Sequence, residues 1–210
     1  RSAAQADQLA QAFLQAAGAR SLDAARDLPV SALLAAQQAP AVQDVLRAEG
    51  SSRSQFCPVL DGHVLPQDIA PAMKQAASRA DVLVAYTRDE MAAFPGHTAD
   101  ADGRQVGEQV FGAPSRQWAE DAVAQGRHAW LARFDVAPTV RFGACHCIEL
   151  PFVFDTVDTF AAAPMLAGLP AAQAAQLTRR TQDAWIAFIR GNAPGWPTAP
   201  HQHILALSLI

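Results

Sequence analysis

The stretch VLVAYT, residues 82–87, decides the fold. It is a short, continuous apolar run with no polar alternation, followed at once by Arg88, Asp89 and Glu90. A run of that length without a polar face predicts a strand buried on both faces, as in a parallel sheet covered by helices. A second run of the same kind, HAWLARFDV, occupies residues 128–136. Between the two, turn-forming residues run from Gly96 to Gly103, and a helix is expected around Trp118. Upstream, PQDIAPAMKQAAS (66–78) reads as a helix. Downstream, Leu177, Thr181, Ala184, Trp185 and Phe188 form one apolar face of a helix that Gly191 closes. Strands separated by helices predict an α/β architecture with a mainly parallel sheet flanked by helices.

The first fifty residues have a different character. Leu9, Phe13, Leu14 and Ala17 recur at helical spacing and Gly18 is placed to end that helix. Ser21 can cap a second helix that stops before Pro29, VSALLAAQQA (30–39) reads as a third, and Val42, Val45 and Leu46 carry a fourth to Gly50. In FCPVLDGHVLP (56–66) two apolar runs are broken by the turn dipeptide Asp61-Gly62. With no repeat and no long linker, residues 1–210 read as a portion of one domain, a helical segment 1–50 followed by strands and helices over 51–210.

Composition removes several functions. The chain has 210 residues, half of them hydrophobic and 17% charged, which suits a packed core and not a disordered segment. A formal charge of −4 offers no basic field for a nucleic acid. No apolar run approaches the ~18 residues of a membrane span. The opening RSAAQADQLAQ lacks the apolar centre of a secretory leader. Three cysteines do not make a disulfide framework. Cys145, His146 and Cys147 are consecutive, which separates the imidazole from both thiols in an extended chain and suits a metal poorly.

In open α/β sheets, reactive groups gather beyond the carboxyl ends of the strands. Glu90 follows VLVAYT by three residues, and His146 lies about ten residues beyond the strand that ends near Phe134 and Asp135. A carboxylate that accepts the Nδ1 proton of an imidazole fixes its tautomer and stabilises the imidazolium formed in general-base catalysis. The residues alone also allow blander roles: a structural histidine in a Gly-Ala loop, and a glutamate at the amino end of a helix. Arg88 and Asp89 read as a solvated or ion-paired turn. Glu149 is expected to hydrogen-bond the His146 loop, and Cys145 and Cys147 to be small packing residues. Trp118, Trp130 and Trp185 read as core or pocket wall, His63, His97 and His128 as structural, and His201 and His203 as part of a tail.

Four stretches taken together resemble the type B carboxylesterases, the family of cholinesterases and bacterial para-nitrobenzyl esterases. VLVAYTRDEMAAF is similar to the strand and acid loop of that family, and ARFDVAPTVRFGACHCIELPFVFD to its Tyr-Arg-Phe-Asp strand and histidine signature. PVLDGHVLP and TQDAWIAFIRGNAPGWP are similar to two further segments, in the family's order. The resemblance implies an α/β-hydrolase fold and a serine esterase acting on small-molecule esters, with Glu90 as triad acid, His146 as base and no metal or organic cofactor. The family's Gly-Glu-Ser-Ala-Gly elbow and His-Gly-Gly segment do not occur in these residues. The expectation is therefore the carboxyl-terminal portion of such an esterase, inactive alone, whose partner is the amino-terminal half of the same enzyme. Departures are Met91 and Cys147 at positions where glycine is common, a spacing of only 56 positions from Glu90 to His146, and the last residues, HQHILALSLI. Two alternatives are a non-catalytic cholinesterase-like binding or adhesion domain and a metal-binding module around Cys145 and Cys147.

Overall fold

The computed structural model describes residues 1–50 and 55–206, in two compact units, Arg1–Ala72 and Met73–Ile210. In the first unit four helices stand where the sequence places them: α1 (Ala3–Ala17), α2 (Leu22–Arg26), α3 (Val30–Gln37) and α4 (Pro40–Ala48). Their ends follow local chemistry. Ser2 and Gln5 form a reciprocal capping box on α1, and Gly18, at φ +69°, ends it in the left-handed conformation. Ser21 Oγ accepts from the Ala24 N–H at the start of α2. Leu9, Ala25, Ala36 and Val42 are the buried apolar residues of this bundle. The Arg1 guanidinium meets the Glu49 carboxylate at 2.9 Å with both side chains buried. The Asp61-Gly62 turn forms as expected, with one Asp61 oxygen accepting from the N–H groups of His63, Val64 and Leu65.

Helix α5 (Ile69–Ala76) spans the boundary between the units. The second unit holds a parallel sheet in the order β1 (Val82–Thr87), β2 (Ala129–Phe134), β3 (Gln202–Leu205). Helices α6 (Ala101–Gly107) and α7 (Ala113–Ala124) lie between β1 and β2, and α8 (Leu150–Val153) and α9 (Ala171–Ile189) between β2 and β3. Successive side chains of a strand point to opposite faces. Trp130, Ala132 and Phe134 accordingly enter one core with Ile148, Phe152, Leu177 and Ala184, while Ala129 and Leu131 enter a second with Tyr86, Ala119 and Ala122. In α9 the residues Leu177, Thr181 and Ala184 of the face read from the sequence are buried, joined by Ala174 and Thr178, while Trp185 and Phe188 are half-buried against the same core.

Two expectations are corrected. VLVAYT is a strand, but its first four residues are only half-buried, because β1 is an edge of the sheet and pairs with β2 alone among the described residues. His201 and His203 do not belong to a loose tail. Gln202–Leu205 is a strand parallel to β2, and the His203 ring stacks on Trp196 at 4.4 Å with planes 7° apart. The rest of HQHILALSLI, from 207 on, lies outside the described residues, as does the stretch 51–54 at the expected start of the second segment. Among the described residues, no helix is long and apolar enough to cross a membrane.

Candidate active site

Thr87 and Phe134 are partners in the register of β1 and β2, so the loops that follow the two strands leave the sheet side by side. This is the carboxyl edge at which α/β sheets carry their ligands. The first loop opens a 3-10 turn at Glu90 and the second carries His146. Glu90 is 3% exposed. One of its oxygens, Oε1, accepts from the Thr87 N–H at 2.7 Å, and the other, Oε2, lies 2.5 Å from His146 Nδ1. The His146 N–H also donates to the Glu90 carbonyl at 3.3 Å. The structure thus brings the two residues singled out in the sequence into one hydrogen-bonded pair. A carboxylate at Nδ1 favours the tautomer with its proton there and leaves Nε2 as the free basic nitrogen. The side chain of His146 is 38% exposed, whereas that of Glu90 is almost wholly enclosed.

Asp89 ties the two loops together. Its Oδ2 accepts from Arg88 and from the Ala144 N–H at 2.8 Å, its Oδ1 from Arg104 Nε at 2.6 Å, and its own N–H donates to the Ala144 carbonyl. Burial pushes the carboxyl up, but the bonds from Arg88, Ala144 and Arg104 outweigh it and hold Asp89 below the usual carboxylate range. The ion pairing read from the sequence is present, but Asp89 is 1% exposed and is not solvated. Gly143 is required beside it. Its φ is +56°, and a Cβ there would run into the Asp89 carboxylate and Ala99.

The flanking residues of His146 differ from one another. Cys145 is fully buried, and its thiol is pushed up to about 11 chiefly by that burial. Cys147 is raised too, by burial and then by the charges of Glu149 and Glu90. Neither is a poised thiolate, in keeping with packing roles. Cys147 adopts φ +67°, which explains why this position suits glycine. Among the described residues no group of three or more His, Cys, Asp or Glu side chains is arranged to hold a metal. Trp130 is core, and Trp185 lines a cavity of about 520 Å³ together with Leu83, Ala85, Glu149, Val153 and Ile189.

Glu149 bonds the loop only through its own backbone N–H, and its Oε2 is buried with no hydrogen-bond partner among the described residues. Burial pushes its carboxyl up, its own backbone N–H partly offsets this, and the charge of Glu90 raises it further. The sequence reading also missed two aromatic neighbours of the imidazole. Phe94 and Phe111 lie 5.4 and 5.1 Å from His146 between ring centroids. Phe94 follows Glu90 by one turn and could have been placed from that spacing. Phe111 sits in a π-helical turn, Glu108–Gly112, for which the sequence carries no signal.

No family model matches the chain. A probable N-octanoylanthranilate hydrolase of Rhodococcus erythropolis is 32% identical over 80% of this chain and 42% of its own length. A phenmedipham hydrolase of Pseudarthrobacter oxydans is 27% identical over 68% of this chain and 38% of its own. Among solved structures, a PNB esterase superposes with a TM-score of 0.76 at 25% identity, covering 98% of this chain and 50% of that one. A carboxylesterase of Geobacillus stearothermophilus superposes with a TM-score of 0.72 at 22% identity, covering 99% and 51%. The architecture is that of the α/β-hydrolases, and the chain spans about half the length, or less, of the relatives it matches.

Proposed function

Because the chain belongs to the type B carboxylesterase family, we propose that it supplies the acid and base of a serine esterase whose nucleophile comes from the amino-terminal half of the same enzyme. The observation that carries this reading is the pair of Glu90 and His146 at 2.5 Å, with the carboxylate enclosed and its second oxygen held by a backbone N–H. In the proposed reaction His146 Nε2 takes the proton of a serine hydroxyl as its oxygen attacks the carbonyl of a small ester. The imidazolium then returns that proton to the leaving alcohol, and water releases the acyl group by the same exchange. Glu90 orients the ring and balances its charge. Backbone amides of the other half would hold the oxyanion. The two curated relatives are named as hydrolases of N-octanoylanthranilate and of phenmedipham, which supports a leaving group other than a simple alcohol in this reading.

Both units are read as parts of one α/β-hydrolase domain. In the second, the unpaired edge of β1 and the exposed residues Leu150 and Phe154 of the α8 segment and Ile186 and Ile189 of α9 support a missing neighbour. An edge strand beside uncovered apolar surface is avoided in a finished fold. A non-catalytic binding domain gives no reason for an enclosed carboxylate on a half-exposed imidazole.

The test is hydrolysis of a short-chain nitrophenyl ester. Residues 1–210 alone should show background rates, and the enzyme completed by its amino-terminal half should turn over and be inactivated by a serine-directed phosphonate. In that enzyme His146→Ala should lower kcat by ~10⁴-fold or more and Glu90→Gln by less, since the base survives. Undiminished turnover in His146→Ala overturns the assignment.

A further inference from the structure

We propose that Phe111, presented by the π-helical turn Glu108–Gly112, is a positioning residue for the His146 imidazole, an inference that rests on the esterase reading above. One hydrogen bond at Nδ1 fixes one corner of the ring but lets the plane pivot about that bond. The Nε2 edge must nevertheless reach a hydroxyl within hydrogen-bond distance, and small misplacements of a reacting group cost large factors in rate. Contact with a second, independently held surface removes that freedom. Phe111 lies 5.1 Å from the imidazole with the planes inclined at 40°. Phe94 makes a similar contact, yet it sits on the same short loop as Glu90. Phe111 comes from a different element.

That element is braced on two sides. Gly107, at the end of α6, packs so closely that a Cβ there would stand 3.3 Å from Glu90 Cβ. On the other side Glu108, the first residue of the turn, is ion-paired to Arg116 in the first turn of α7. Arg116 also donates to the Tyr86 hydroxyl at 3.0 Å, and Tyr86 donates to Gln202 of β3 at 3.2 Å. The turn is thereby anchored through α7 to β1 and β3, the same sheet that sets the two catalytic loops. Gly112 leaves room for the brace, since a Cβ there would meet the Glu108 carboxylate. A π-turn holds one residue more than an α-turn, so an uninterrupted α-helix would rotate Phe111 by about 100° away from the imidazole.

The experiment uses the completed esterase, with His146→Ala as reference and kcat expressed per phosphonate-titrated site. Phe111→Leu should lower kcat about tenfold while KM stays within about twofold. Phe111→Tyr, which keeps the ring, should recover at least half of the original kcat. Arg116→Gln, which releases the brace but not the ring, should lower kcat by a smaller factor in the same direction, and it serves if Phe111→Leu fails to fold. In the 210-residue chain, proton NMR should show the Nδ1–H resonance of His146 broadened in Phe111→Leu and restored in Phe111→Tyr. A kcat per site and an Nδ1–H signal unchanged in Phe111→Leu overturn the proposal, as does a loss that the tyrosine fails to recover. If His146→Ala itself retains activity, the esterase reading falls and takes this one with it. If His146→Ala is inactive while Phe111→Leu and Arg116→Gln are not impaired, only the positioning role is lost.

Discussion

Asp89 and Glu149 are both carboxylates drawn out of water beside the Glu90–His146 pair, one next to the acid in the chain and the other three residues beyond the base. They meet opposite conditions. Asp89 accepts from two arginines and a backbone N–H, and these bonds hold its carboxyl below the usual range in spite of burial. Glu149 has one oxygen buried without a partner among the described residues, and burial together with the charge of Glu90 pushes it up. At the Asp89 wall both carboxylate oxygens are met, and Gly143 stands where a side chain would run into that carboxylate. The wall beside Glu149 borders the 520 Å³ cavity and the edge of β1 that has no partner among the described residues. A buried carboxylate stabilises a fold only when its lone pairs are met, so one wall is a clamp and the other is left uncovered among the described residues.

The largest expected effect breaks the clamp. Asp89→Ala leaves Arg88, Arg104 and the Ala144 N–H without their shared acceptor and should cost about 3 kcal/mol in urea unfolding of the 210-residue chain. That is the lower end for a broken buried pair, because both arginines keep contact with water. The sign with pH follows from the lowered carboxyl. Its stabilising contribution is complete above the unfolded value, near pH 4, and is lost as pH falls through the lower folded value. The difference between wild type and Asp89→Ala should therefore close in strong acid. A difference that persists there would mean that packing, and not charge, holds the loops.

Glu149→Gln probes the other wall and should move stability the opposite way. A raised folded carboxyl is favourable below the unfolded value and becomes a penalty as pH rises through the folded one. At pH 7 the amide should thus stabilise the chain by about 1 kcal/mol, with the gain vanishing below about pH 4. If Glu149→Gln destabilises at pH 7 as Asp89→Ala does, the contrast between the walls is lost.

Much of this is legible in the sequence. The helices of the first unit announce themselves through Gly18 and Ser21 at their ends and through apolar spacing between them. VLVAYT and HAWLARFDV gave two parallel strands because period-two and period-3.6 patterns are both absent from them. The pair Glu90 and His146 could be nominated from their place after those strands, aided by the resemblance. The edge position of β1 could not, since a run of apolar residues reads alike whether a neighbouring strand is present or not. β3 could not be, because the four residues Gln202–Leu205, with His203 among them, carry no strand signal, and its pairing is supplied by β2. Asp89 and Glu149 look equivalent as letters. Their difference lies in contacts with Arg104 and Ala144, which are distant in sequence. Phe111 reaches His146 only through a π-turn, a backbone choice made by tertiary packing.

The smallest expected effect concerns Cys147, which lies between the two walls in the chain, after the base and before Glu149. At φ +67° a residue with a Cβ pays about 1 kcal/mol that glycine does not. Cys147→Gly relieves that strain but gives the unfolded chain more freedom, worth roughly 0.5–1 kcal/mol, and removes a half-buried thiol. The terms nearly cancel, so urea unfolding should show a change within about 0.5 kcal/mol of zero, and the Nδ1–H signal of His146 should be undisturbed. Cys147→Val separates the terms. A β-branched side chain is poorly tolerated at that φ, so the valine should be the less stable of the two by more than 1 kcal/mol. Equal stability of the glycine and valine variants would show that the loop relaxes around residue 147, and that the clamp at Asp89 does not extend past the imidazole.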